Sequence, residues 1–199
     1  MTPNRVDIDF NRLILRKKPL KRLKPSKKKP VYGFDTETYR GSVKLICEGR
    51  GRYLYDPTLE QVLEFLTHRD YRGAINLFYN LRFDAQGILK LLPEEKLRKL
   101  WDTKKTEYKN YTIKYLQGKF LSITKNKHSY KFYDLFQFYD CSLEKASEKY
   151  LSGEHKIDMI DRERLNTDLE YWRKEKQWII KYCIQDAYLT QLLGERIYN

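Results

Sequence analysis

Long apolar runs are missing from this chain of 199 residues, whose mean hydropathy is −0.78. No stretch approaches the roughly 18 apolar residues that span a bilayer, so no membrane role is expected. The N-terminus has no apolar stretch of the secretory kind, which reads as intracellular, in the cytoplasm or in the host cell of a virus. Cysteine is scarce and odd in number: Cys47, Cys141 and Cys183 fit neither a disulfide framework nor the CxxC spacing of a zinc site. The three histidines, His68, His128 and His155, are scattered without metal-ligand spacing. Acidic charge is in the minority, 27 Asp and Glu against 40 Lys and Arg. What acids there are therefore stand out.

The net charge of +13 is uneven. Residues 1–30 hold eleven Lys and Arg against Asp7 and Asp9, which leaves only +4 for the other 169 residues. A basic arm on a nearly balanced domain points to a polyanion such as a phosphate backbone; a solvated tail that aids solubility is the plainer alternative. Pro19, Pro25 and Pro30 argue against one continuous helix there. The arm (1–30) and one domain (31–199) are the expected division, and the domain is long enough to bury a core.

Val31–Phe34 reads as a buried strand ending at Asp35, with strands at Val43–Cys47 and Arg52–Tyr55 about the turn Glu48–Gly51. Leu59, Val62, Leu63 and Leu66 are spaced as on a helix after the start signal Asp56-Pro57-Thr58. A strand at Ala74–Phe78 precedes a helix from about Phe83 to Leu92, which Pro93 ends. Three strands follow, at Tyr111–Leu116, Phe120–Thr124 and Tyr130–Phe136. A short helix at Leu143–Tyr150 comes next, then a long one from Lys174 to Arg196 with Ile180, Cys183, Ile184, Ala187 and Leu192 toward the core. This order implies an α/β domain around one mixed central sheet flanked by helices.

Four acids sit beside these elements. Asp35 and Glu37 are two apart, so a strand running through them would point both to one face. Asp84 opens a helix, where a carboxylate also simply complements the helix dipole. Asn80, just after an apolar strand, is placed to pin the turn or bond a substrate. Phe83, taken alone, reads as a core anchor, with a base-stacking surface as the alternative. Tyr182 and Asp186 are four apart on a largely apolar helix, hence neighbours, and an ionised Asp186 there needs a partner. Carboxylates drawn from distant segments repel unless a cation lies between them, and a metal there also activates water against a phosphodiester.

Together, Phe34-Asp35-Thr36-Glu37-Thr38, Asn80-Leu81-Arg82-Phe83-Asp84 and Tyr182-Cys183-Ile184-Gln185-Asp186 resemble the three motifs of DEDDy 3′–5′ exonucleases. The likeness is to the proofreading domain of family B DNA polymerases of the protein-primed viral and organellar branch, over residues 31–197. It implies an RNase H-like fold and two divalent cations, Mg²⁺ or Mn²⁺, held by Asp35, Glu37, Asp84 and Asp186. Tyr182 would position the attacking water. Thr38, Asn80 and Phe83 match positions that hold a single-stranded 3′ end, and Lys156 aligns loosely with a lysine near the scissile phosphate. Tyr79 departs from the His common before the motif Asn, and Lys181 stands where the DEDDh sister group has its His.

The implied activity is hydrolysis at the 3′ end of single-stranded DNA, with RNA or duplex ends as further substrates and replication or repair proteins as partners. One alternative is the exonuclease portion of a longer polymerase, whose palm would follow near Asn199. Another is a non-catalytic nucleic-acid-binding module. Independently, Lys104, Lys105, Lys109, Lys114, Lys119, Lys125, Lys127 and Lys131 interleave with Tyr108, Tyr111, Tyr115, Phe120 and Tyr130. That pattern suits a single-strand path and equally suits an antiparallel sheet with lysines on its wet face.

Overall fold

A computed structural model describes residues 28–198, apart from His155, Asp158 and Met159. The basic arm lies outside the described residues except for its last three. The chain forms an α/β fold: one eight-stranded mixed sheet flanked by helices, ordered β3-β2-β1-β4-β8-β7-β6-β5. The strands are β1 (Val31–Tyr39), β2 (Ser42–Glu48), β3 (Tyr53–Tyr55), β4 (Ile75–Phe78), β5 (Lys105–Tyr108), β6 (Tyr111–Leu116), β7 (Phe120–Lys125) and β8 (His128–Asp134). β1, β4 and β8 run parallel and all other neighbours are antiparallel. The helices are α1 (Leu59–Leu66), α2 (Leu81–Leu89), α3 (Glu94–Thr103), α4 (Phe136–Tyr139), α5 (Leu143–Tyr150), α6 (Arg162–Thr167), α7 (Leu169–Lys174) and α8 (Lys176–Tyr198). Among the described residues no helix is long and apolar enough to cross a membrane.

Alternation along β1 sorts the core into two layers. Tyr32 and Phe34 point to one face, where they pack with α1, α2 and Leu100 of α3. Val31 points to the other face, beneath Leu189 and Leu193 of α8 and Leu143 and Ala146 of α5. Gly33 shares that second face. A Cβ there would lie 2.1 Å from the Ala187 carbonyl oxygen and 2.4 Å from the Gln191 nitrogen. Only glycine lets the α8 backbone approach β1 this closely. The closeness sets where every α8 side chain meets the strand.

Local signals explain most boundaries. Thr58 accepts from the Gln61 amide while the Gln61 side chain accepts from the Thr58 amide, so a reciprocal cap starts α1. Asn126 and Lys127 both take the left-handed conformation in the β7–β8 hairpin. Some expectations need correction. α2 starts at Leu81, before Phe83, and ends at Leu89. β8 ends at Asp134, and Phe136 begins α4 instead. Leu192 is only half-buried; the inward stripe of α8 passes through Leu189 and Leu193. α3, β5, α6 and α7 were not expected: each buries only one or two residues, too few to set a period in the sequence.

Candidate active site

β1 carries Asp35 and Glu37 past the buried Val31–Phe34 segment to the half-buried end of the strand, on the α8 face. α8 lays Tyr182 and Asp186 against the same end, both buried. The Cys183 thiol between them donates to the Asp35 carbonyl at 3.5 Å and ties helix to strand. Cys47 and Cys183, distant in sequence, come together beneath α8 as free buried thiols. The result is a cleft of about 430 Å³. Asp35, Glu37, Asp186 and Tyr182 line it, with Thr38, Asn80, Phe83 and Lys156.

Asp84 stands apart from these. It is buried, outside the cleft lining, and accepts from Thr36 Oγ1 at 2.8 Å. Thr36 alternates with Asp35 and Glu37 along β1, so its side chain leaves the strand toward α2, where Asp84 sits in the first turn. Among the described residues no three His, Cys, Asp or Glu side chains form a ready-made metal-ligand group. Asp84 is nonetheless close enough to Asp35 for the two charges to act on each other.

Burial governs the electrostatics. Desolvation, then the charges of Asp186, Asp84 and Glu37, push the Asp35 carboxyl well above its usual range, and Lys156 only partly opposes them. Desolvation and Asp186 lift Glu37 to about 8. Desolvation lifts Asp84 to about 7 against the Thr36 hydrogen bond. Desolvation also raises Asp186, opposed by Lys156, whose Nζ lies 2.7 Å from Asp186 Oδ2. That ammonium sits 5.0 Å over the Tyr182 ring. Burial works against the Lys156 charge, but Asp186 outweighs it and holds the ammonium above the ordinary lysine range. Burial and Asp186 raise Tyr182, which therefore keeps its hydroxyl proton at neutral pH. Asp186 Oδ1 is buried and, among the described residues, has no hydrogen-bond partner. Crowded acids with an unmet buried oxygen are a site short of positive charge.

The cleft rim differs from expectation at Phe83, which is not a core anchor: it is 72% exposed. α2 begins two residues earlier than expected, and Phe83 projects from its first turn instead of facing the sheet. Asn80 takes a left-handed conformation (φ 66°), and its side chain makes no cap hydrogen bond, which leaves it for the cleft. Two residues that the sequence did not single out shape this rim. Asp134, at the end of β8, accepts from the Asn80 amide at 3.1 Å and the Phe136 amide at 2.9 Å, pinning both cleft walls. Arg162, on α6, lines the cleft and faces the Tyr182 hydroxyl. An Asp at a strand end is too common to be noticed in a sequence, and a six-residue helix gives no period to place Arg162. Tyr79 supports the turn, its hydroxyl donating to the Cys141 carbonyl at 2.7 Å.

No protein-family model, curated protein or solved structure matches this chain.

Proposed function

We propose that this chain is a metal-dependent 3′–5′ exonuclease of the DEDDy type with an RNase H-like fold, acting on single-stranded DNA. The observation that carries the reading is the meeting of Asp35 and Glu37 on β1 with Tyr182 and Asp186 on α8 in one cleft. Asp84 stands one hydrogen bond behind, at Thr36. These residues fit divalent cations, because neighbouring acids raise the Asp35 carboxyl and, among the described residues, Asp186 Oδ1 has no partner. Mg²⁺ or Mn²⁺ would be held by Asp35, Glu37 and Asp186, with Asp84 joining by giving up Thr36. When bound, such ions supply Lewis-acid activation of water and charge for the departing 3′ oxygen.

The chain's own groups supply the rest. The exposed Phe83 ring offers a stacking face to the terminal base, and the Asn80 side chain, which makes no cap hydrogen bond, offers hydrogen bonds beside it. Thr38 lies on the same wall. Tyr182, protonated at neutral pH, orients a water by hydrogen bonding and does not act as a base. Lys156 and Arg162 bring cationic donors to a phosphate in the cleft. The polarity and the preference for DNA rest on the motif resemblance alone.

The test is degradation of an end-labelled single strand with Mg²⁺ or Mn²⁺. Loss of cleavage in Asp35→Asn and Asp186→Asn is the expected outcome; equal behaviour of wild type and variants rejects the reading. A non-catalytic binding module on the same fold is the second reading. It is favoured by the Lys156–Asp186 pair, which neutralises one acid without metal, and by the Thr36–Asp84 bond, which gives a second acid a partner. Tight binding in chelator with no cleavage on restoring metal would select it.

A further inference from the structure

Among the described residues, no helix packs broadly on the outer face of β5–β8. Ile113, Tyr115, Leu121, Ile123 and Phe132 point into the core beneath α1, α2 and α3. Their alternates point the other way, and there α8 rests on β1, β2 and β4 instead. Register aligns these outward residues in rows. Lys105 pairs with Lys114, Lys114 with Ser122, and Ser122 with Lys131. Three interstrand gaps make this row about 14 Å long. A neighbouring row runs Leu116, Phe120, Tyr133, toward the end of β8 that leads to the cleft.

The lysines of this region divide into two groups. Lys109 and Lys125 turn to the other side, where they pair with Glu60 and Glu64 of α1. Lys105 is paired with Glu107 at 3.1 Å. Lys114 and Lys131 are exposed, and among the described residues neither forms an ion pair. Aromatic rings border the open face: Tyr133 is 38% exposed, Phe138 is 58% and Tyr198 is 39%. Phe138 and Tyr198 meet edge to face at 6.2 Å. α4 forms the ridge between this face and the cleft, with Phe136 lining the cleft and Phe138 meeting Tyr198.

We infer that this open face of β6–β8 binds the upstream part of a single nucleic-acid strand whose 3′ end occupies the cleft. Unpaired ammonium groups in register meet phosphates, and the bordering rings meet unstacked bases. Charge complementarity names a polyanion as the occupant. The exposed rings favour a single strand over a duplex, whose bases are already stacked. The inference deepens the exonuclease reading and rests on it for the direction of the strand.

The experiment is fluorescence anisotropy with an oligothymidylate of about 30 nucleotides, longer than one site, in chelator between about 50 and 200 mM salt. Replacing both open-face lysines (Lys114→Ala with Lys131→Ala) should weaken binding roughly tenfold. It should also lower the slope of log K against log salt by about 1.4, that is about 0.7 per lost single-strand phosphate contact. Replacing both paired lysines (Lys109→Ala with Lys125→Ala) should change neither. Unaltered affinity and slope in the first double variant, or a duplex of equal length that binds more tightly, would overturn the inference. Cleavage of an oligothymidylate of about four nucleotides, too short to reach the open face, should be the same in that variant and the wild type. If wild type cuts no substrate, the exonuclease reading fails while the binding measurement still decides the face.

Discussion

Gly33→Ala is the perturbation that most directly tests how the two halves of the cleft are held together. The added Cβ would sit 2.1 Å from the Ala187 oxygen, 2.4 Å from the Gln191 nitrogen and 2.9 Å from the Gln191 Cα. Ordinary contacts begin near about 3.5 Å, so α8 must back away from β1 by more than about 1 Å. All three atoms are backbone, and no side-chain rotation relieves the clash. Overpacking of this kind costs about 3 kcal/mol or more. In a chain of this size that lowers the midpoint of thermal unfolding by roughly 6–12 °C. The same retreat carries Asp186 and Tyr182 away from Asp35 and Glu37. A displacement near 1 Å at reacting groups lowers turnover on the order of 100-fold. Differential scanning calorimetry and an oligonucleotide cleavage assay on one preparation read both effects. An unchanged midpoint would refute the close approach of α8 to β1. A lowered midpoint with full turnover would refute the dependence of the site on that approach.

Three further outcomes follow from the site. In metal-free protein, Glu37 at about 8 and Asp84 at about 7 keep protons that the unfolded chain releases near pH 4. Their stability contribution is present below about pH 4 and lost as pH rises toward 8. Urea melts in chelator from pH 5 to 8 should show that fall, Glu37→Gln should flatten it, and a level profile in wild type would count against the crowded carboxyls. Phe83→Ala removes a ring that is 72% exposed, so unfolding should shift by less than about 0.5 kcal/mol while KM for a single strand rises roughly tenfold. A large loss of stability instead would return Phe83 to the core. Asp134→Ala strips the acceptor from the Asn80 and Phe136 amides and should cost about 1–3 kcal/mol, with kcat reduced; a silent variant would mean that neither wall needs the pin.

The mixed sheet, all its strands but β5, and α1 were legible in the sequence, because most of these carry apolar residues at a period of two or near four. α8 was legible for the same reason, although its stripe runs through Leu193 and not Leu192. Elements that bury almost nothing were invisible: β5 hides only Thr106, and α6 only Leu165. The three motifs predict that Asp35, Glu37, Asp84, Tyr182 and Asp186 meet; the cleft is lined by all of these except Asp84. What a linear motif could not carry is where each side chain turns. Thr36 draws Asp84 behind the strand, and Phe83 projects from the first turn of α2 at the rim. Likewise the run of lysines between 104 and 131 looked like one basic surface. Register divides it into a face paired with α1 and a face left open.

The fate of a 5′-labelled single strand incubated with Mn²⁺ decides whether this cleft cuts nucleic acid. The wild type should produce a ladder that shortens from the 3′ end and stops in chelator. Asp35→Asn and Asp186→Asn should leave the strand intact while still binding it. Cleavage at wild-type rates by both variants, or no cleavage by any form of the protein with either metal, would rule out a metal-dependent exonuclease site at these acids.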